Sequence, residues 1–301
     1  MLECRELKKS FGPKEVLRGV SLRLNAGEVY GLVGENGAGK TTLMNLITGL
    51  LKPDGGEIFI DGVPVGKALG HRIGYMLDIP AMFEFMTAGE YLAYLASAEK
   101  YGKEYVLSRS KELLAMVGLS DVQNSRISGF SRGMKQRMGI AAALFHNPDL
   151  ILMDEPSSAL DPKGRYEVAE IIRQLAAQGK TVLLSTHILS DVEKVCDRIG
   201  LLVNGSIKVE GSIDEVMSRY KRPVYFVVSP YVQAILEGLK GDYLVDRRIE
   251  GGVLWLSLRS EGDSVQLFSD VAALKLPVNC ISVKNVSLEE IFLQETLGGV
   301  R

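Results

Sequence analysis

The sequence predicts an α/β core built on a mixed sheet, with an antiparallel edge and a helical insertion, followed by a small α+β domain. Three observations carry that expectation. Residues 34–42 form a glycine-rich loop between an apolar run and a segment of helical spacing. A second fully apolar run, Leu150-Ile151-Leu152-Met153, ends in the paired carboxylates Asp154-Glu155. Beyond Lys221-Arg222-Pro223 the pattern changes to short strands separated by amphipathic segments. At 301 residues the chain is long enough for two domains. They are expected at 1–220 and 221–301, with the insertion over about 79–145.

Taken in order, residues 1–26 and 56–62 read as short alternating strands that form the antiparallel edge. Val29-Tyr30-Gly31-Leu32-Val33 is a buried-strand pattern, and Thr42-Leu43-Met44-Asn45-Leu46-Ile47 has helical spacing up to Gly49. Thr87-Ala88-Gly89-Glu90 is a capping box that opens a helix through about Tyr101. A second helix over about 104–117 stops at Gly118, and Ser131 is a natural cap for a third running through Ala141-Ala142-Ala143-Leu144-Phe145. The run 150–153 has the continuous apolar character of a central parallel strand covered on both faces. After His187 a helix leads to strands at 198–203 and 207–209, paired across Asn204-Gly205, a two-residue hairpin turn. Ser212-Ile213-Asp214-Glu215 caps a closing helix to about Tyr220.

In the C-terminal segment, a strand at 224–228 precedes helical spacing at 231–239. A hairpin joins 243–249 to 253–258 across Gly251-Gly252, and an amphipathic stretch at 263–274 leads to a strand at 278–283. That order, β-α-β-β-α-β, is the split-βαβ or ferredoxin-like plan. Another capping box, Ser287-Leu288-Glu289-Glu290, opens a last helix to about Thr296.

The chemistry begins at Gly34-Glu35-Asn36-Gly37-Ala38-Gly39-Lys40-Thr41-Thr42, which matches the phosphate-binding pattern G-x-x-x-x-G-K-[ST]. Glycines let successive backbone N–H groups turn inward as an anion nest. Lys40 supplies a point charge to the β/γ-phosphates, and the Thr41 hydroxyl can ligate Mg²⁺. A strand before and a helix after the loop is the context in which the motif means phosphate binding. The chain is therefore expected to bind a nucleoside triphosphate. Carboxylates at the end of a central strand lie in the crevice where open α/β sheets bind ligands. Asp154 is then a direct or indirect Mg²⁺ group, and Glu155 can take a proton from attacking water.

Upstream of those carboxylates lies Phe130-Ser131-Arg132-Gly133-Met134-Lys135-Gln136-Arg137-Met138. Together these motifs resemble the ATP-binding subunit of an ABC transporter, an ABC-type ATPase fold, with the signature in a Phe-Ser-x-Gly-Met form. The resemblance implies that Ser131 and Gly133 meet the γ-phosphate of ATP held on the opposite subunit. Ser157-Ser158-Ala159-Leu160-Asp161-Pro162 resembles the family's D-loop, with Asp161 also placed to cap the helix that Pro162 starts. Leu183-Leu184-Ser185-Thr186-His187 resembles the switch segment, which implies that His187 bonds the γ-phosphate and orients water. Phe11 matches the aromatic that stacks on adenine; the competing reading is a small core aromatic. The resemblance covers residues 1–220. Beyond them the tail Val286-Ser287-Leu288-Glu289-Glu290-Ile291-Phe292 resembles the C-terminal extension of ABC-2 type exporters, including drug and sodium efflux systems. That domain reads as an accessory that packs on its neighbour or on a second subunit, with ligand sensing as the other reading.

One departure falls at position 78. The family usually has glutamine after a strand like Ile73-Gly74-Tyr75-Met76-Leu77, and here Asp78 stands there. An ionised carboxylate can ligate Mg²⁺ but cannot donate a hydrogen bond. Arg132 also departs from the pattern, while leaving Ser131 and the backbone N–H groups free to act.

The resemblance implies an ATPase using ATP and Mg²⁺, dimerising head to tail with a second copy of itself or a paralogous ATPase subunit. It also implies an integral membrane permease as partner, most simply in an ABC-2 type exporter. Pro80-Ala81-Met82-Phe83-Glu84-Phe85-Met86 is apolar enough to receive a short permease helix, or to fold into the insertion's own core. The rival reading is a soluble ABC-type ATPase acting in regulation or macromolecular assembly; a single core and no heptad run disfavour it. A nucleotide switch without turnover is disfavoured by Glu155. The net charge of −2 gives no footprint for nucleic acid. Cys4, Cys196 and Cys280 show no metal spacing and read as reduced and structural. The first residues lack the apolar core of a signal peptide, and no apolar stretch approaches the ~18 residues of a membrane span. The expected location is cytoplasmic, peripheral on the inner face of the membrane through the permease.

Overall fold

The computed structural model describes residues 1–65, 72–158, 160–220, 224–284 and 287–296. The expected linker Lys221-Arg222-Pro223, Ala159 of the loop before Pro162, and Val286 of the tail lie outside them. The chain divides into two compact units, Met1–Ile213 and Asp214–Arg301. The division falls one helix before the boundary expected at Tyr220.

In the first unit, Leu2–Phe11 (β1) and Lys14–Leu24 (β2) pair antiparallel. Val29–Val33 (β3) is buried at every position and feeds the glycine loop, which opens helix Lys40–Ile47 (α1). Gly55–Ile60 (β4) and Val63–Pro64 (β5) return to β1, completing a sheet in the order β2-β1-β4-β5. Ile73–Met76 (β6) then enters the central sheet, and three helices follow: Ala88–Ala96 (α2), Lys103–Met116 (α3) and Arg132–Ala143 (α4). Leu150–Asp154 (β7), Pro162–Ala177 (α5), Thr181–Thr186 (β8), Leu189–Val195 (α6), Arg198–Val203 (β9) and Ser206–Ser212 (β10) follow in order.

The central sheet runs β10-β9-β3-β8-β7-β6, parallel except for the β9–β10 hairpin. Its strands β3, β7 and β8 are buried throughout, which is why β3 and the first four residues of β7 read as continuous apolar runs. The buried face of α1 (Leu43, Met44, Leu46 and Ile47) shares one core with residues of both sheets. One core therefore anchors the helix whose N-terminus faces the phosphate loop. The β9–β10 turn has positive φ at both Asn204 and Gly205, as a tight hairpin requires.

The capping box of α2 forms as expected: Glu90 N–H donates to Thr87 Oγ1 at 3.2 Å, and Thr87 N–H to the Glu90 carboxylate at 2.8 Å. The helix stops at Ala96, short of the expected Tyr101. The reason is local. Ser97 Oγ donates to the Tyr94 carbonyl at 2.6 Å, and the amides of 97–99 bond three residues back, so the last turn tightens and leaves the α-ladder.

The second unit opens with Ile213–Tyr220 (α7), most of which it contains. It continues as Val224–Val228 (β11), Val232–Gly238 (α8), Leu244–Glu250 (β12), Val253–Leu258 (β13), Ser264–Ala273 (α9), Cys280–Lys284 (β14) and Leu288–Thr296 (α10). The sheet order β12-β13-β11-β14, antiparallel throughout, is the ferredoxin-like arrangement that the element order implies. Tyr225, Val227, Leu254 and Leu256 pack one sheet face onto Ile235, Leu239, Leu267 and Val271. Tyr220 donates to Glu295 at 2.8 Å; burial and that carboxylate push its phenol up to about 12.

Candidate functional site

The glycine loop owes its shape to two residues in the left-handed region, Gly37 at φ +84° and Gly39 at φ +109°. A Cβ on Gly39 would stand 2.7 Å from Leu17, so a side chain there would collide as well as strain. No side chain caps α1 and its first turn holds no acidic residue. Its leading N–H groups thus remain available to an anion.

Lys40, only 5% exposed, folds back over the loop. Its Nζ donates to the carbonyls of Gly34 at 2.7 Å and Glu35 at 3.2 Å. The same ammonium lies 3.1 Å from Glu155 Oε1, an ion-pair contact without hydrogen-bond alignment. Glu155 Oε2 lies 2.9 Å from His187 Nδ1. One carboxylate thus bridges the phosphate loop and the end of β8. Its backbone is in the left-handed region, at φ +48°, and its N–H donates to Ser185 at the end of β8.

Asp154, 1% exposed, accepts from the Ser185 hydroxyl on Oδ1, while Oδ2 is buried without a partner. A buried carboxylate oxygen left free beside a phosphate loop is what a divalent cation would satisfy. The donor set of Asp154 with the Thr41 hydroxyl suits Mg²⁺. Tyr75, on the neighbouring strand, donates to Asn45 Oδ1 at 3.1 Å. Burial and the charge of Asp154 push its phenol well above the usual range, so it stays neutral there.

A cavity of about 380 Å³ opens over the loop, walled by Phe11, Asn36, Lys40, Thr41, Asp78 and Glu155, with Gly37, Gly39 and Thr42 around them. Phe11 is 48% exposed, which removes the core reading of that ring. Asp78 accepts a 3.4 Å hydrogen bond from Ser158. Gly34, Glu35 and Ala38 shape the loop without lining the cavity, and Asp154 and His187 do not line it either.

The remaining expected residues lie outside this cavity. Ser131 Oγ accepts from Met134 N at 3.2 Å and Asp161 Oδ1 from Gly164 N at 2.8 Å, each as the cap of its own helix. A Cβ on Gly133 would stand 3.3 Å from Leu160. Sequence reasoning missed Ser185, whose signal was a polar residue inside an apolar central strand. It also missed Lys14 and Val16 of the cavity wall, and Gln136, whose amide donates to the Glu155 carbonyl at 3.2 Å and which nothing in its polar run distinguishes.

The profile of the ABC transporter family matches residues 17–158. An ABC transporter ATP-binding protein of Nostoc sp. is 36% identical over 299 residues, covering 92% of this chain and 87% of that protein. This chain belongs to the ATP-binding proteins of ABC transporters. Members of that family hydrolyse ATP to power transport. The linearmycin resistance ATP-binding protein of Bacillus subtilis is 32% identical, covering 98% of each chain. The C-terminal domain profile of ATP-binding proteins like DrrA1-3 matches residues 211–296. Among solved structures, a dimeric post-hydrolysis ATP-binding cassette bound to ADP and Pi superposes with a TM-score of 0.65 at 28% identity, covering 71% of this chain and 99% of that one. Among the described residues no helix is long and apolar enough to cross a membrane.

Proposed function

We propose that this ABC ATPase powers an exporter of the ABC-2 type as a head-to-tail dimer, docked on a permease at the inner face of the membrane. The observation that carries the hydrolytic part is Glu155, buried at the cavity wall and held between Lys40 and His187. With a triphosphate in the loop, Lys40 turns from Glu155 to the β/γ-phosphates. Glu155 is then free to accept a proton from water at Oε1, while His187 steadies Oε2 and reaches the γ-phosphate. Phe11 stacks on adenine. Mg²⁺ would be held by Asp154, Thr41 and Asp78, and would neutralise charge on the phosphates.

Ser131, Gly133 and Asp161 stand outside the cavity and suit a second subunit's nucleotide. Charge-assisted hydrogen bonds there contribute ~1.5–3 kcal/mol each, so loss of the γ-phosphate reopens the pair. The dimeric cassette with ADP and Pi supports this reading, and the linearmycin resistance relative supports export. Residues 221–301 then form an accessory domain that follows the 1–220 ATPase in the chain.

Glu155→Gln keeps size and removes basicity. ATP should still bind while turnover falls by ~10²–10⁴, and an ATP-bound dimer should accumulate by light scattering. Near-normal hydrolysis would sink the assignment. For the permease, the support is an exposed aromatic cluster: Phe83 is 43% exposed, Phe85 69% and Tyr94 47%, with Phe83 5.1 Å from the Tyr94 ring. Replacing Phe83 and Phe85 with serine should abolish co-purification of the permease while ATP binding persists. Unaltered assembly would place the dock elsewhere.

A further inference from the structure

Glu155 is held by its backbone as well as by its carboxylate. Its N–H donates to Ser185 O at 3.1 Å and Oγ at 3.2 Å. Its carbonyl accepts from Ser158 N–H within the same loop at 3.3 Å, and from Gln136 Nε2 at 3.2 Å. Among the described residues Gln136 is the only donor that reaches this carbonyl from another element. A carbonyl only accepts, so the amide must present its NH₂ there. Gln136 is 3% exposed although its helix face begins in a polar run. Burying that side chain costs rotamer freedom that packing alone would not require of a polar residue.

Gln136 sits on α4, about one turn beyond Gly133 and little more than one beyond Ser131. The helix is a rigid lever over such a length, because its N-terminus is fixed by the Ser131 cap. Any shift of its first turn therefore moves the Gln136 amide and, through it, the Glu155 peptide. That peptide is in a conformation that persists only when neighbours hold it. The Glu155 side chain reaches Lys40 on one oxygen and His187 on the other, so a small rotation of the peptide breaks one contact or both.

We propose that Gln136 is a positioning residue that couples the signature helix to the aim of Glu155. Contact of Ser131 and Gly133 with the nucleotide of a second subunit then sets the base in this subunit's own site. The inference rests on the nucleotide and dimer reading above. A misplacement of about 1 Å in a catalytic group costs on the order of 10²-fold in rate, so a single amide is enough to matter.

The test uses the full chain and two variants. Gln136→Met keeps length and burial without a donor; Gln136→Asn keeps the amide one methylene short and decides the matter if the Met variant misfolds. In the wild type, a non-hydrolysable ATP analogue should slow hydrogen exchange at the Glu155, Ser157 and Ser158 amides. In either variant that response should vanish and kcat should fall about ten- to a hundredfold. KM and analogue-driven dimerisation should stay within about threefold of wild type. Wild-type kcat and exchange in a folded variant would overturn the proposal. So would loss of nucleotide binding and dimerisation together with turnover, since that marks Gln136 as packing alone. A wild-type chain that binds no ATP would instead overturn the functional reading, and this inference with it.

Discussion

Glu155 contacts both Lys40 and His187, joining the phosphate loop, the end of β7 and the end of β8. Ser131 and Asp161 are satisfied inside single helix turns, and Ser131 and Asp161 are exposed. The first group needs the whole fold to exist. The second needs only a short helix start, and its hydrogen bonds among the described residues stay within that start. A site whose parts contact one another across several elements can bind by itself; a site made of exposed caps is half of something. The contrast separates residues that hold a ligand from residues that wait for one.

The largest way to break the contrast is at Lys40. Lys40→Met should bring ATP turnover to background. It also strips a buried carboxylate of its cationic partner, so the nucleotide-free protein should lose about 3 kcal/mol of unfolding free energy by denaturant titration. Unchanged stability would mean that the Lys40–Glu155 contact is not formed in solution.

A smaller effect is expected at the exposed group. Ser131→Arg should leave ATP binding to dilute monomer unaltered while weakening ATP-dependent dimerisation about ten- to a hundredfold, by sedimentation at graded concentration. Weaker ATP binding by the monomer would show that Ser131 serves its own cavity after all. Smallest of all should be removal of the second unit beyond its first helix. A chain ending at Tyr220 should bind ATP with a Kd within about tenfold of full length, or ~1.4 kcal/mol. Insolubility or lost binding would show that the two parts share a core.

Much of this was legible in the residues themselves. The phosphate loop, the Asp154-Glu155 strand end and the Asn204-Gly205 turn are local patterns with local causes, and they appear where expected. The second domain was legible in element order alone, since β-α-β-β-α-β leaves few ways to pair four strands. What escaped was set by tertiary contact. Gln136 looks like any polar residue on a helix until Glu155 is packed beneath it, and Ser185 looks like a strand-end hydroxyl until Asp154 needs a donor. The early end of α2 was hidden for a different reason: Ser97 competes for a carbonyl that apolar spacing ignores.

The Asn204-Gly205 turn carries a practical warning for anyone inserting sequence into this chain. On turn chemistry alone it is an inviting place for a tag or a reporter loop. Yet Gly205 accepts from Arg18 N–H at 2.8 Å, and a Cβ there would stand 2.4 Å from the carbonyl of Val16. Val16 in turn lines the same cavity as Phe11 and Lys40. An insertion at this corner would wedge β2 against the mouth of the nucleotide cavity. The damage would surface in ATP affinity while the fold still passed a melting assay, and a label placed there would disturb the quantity it was meant to report.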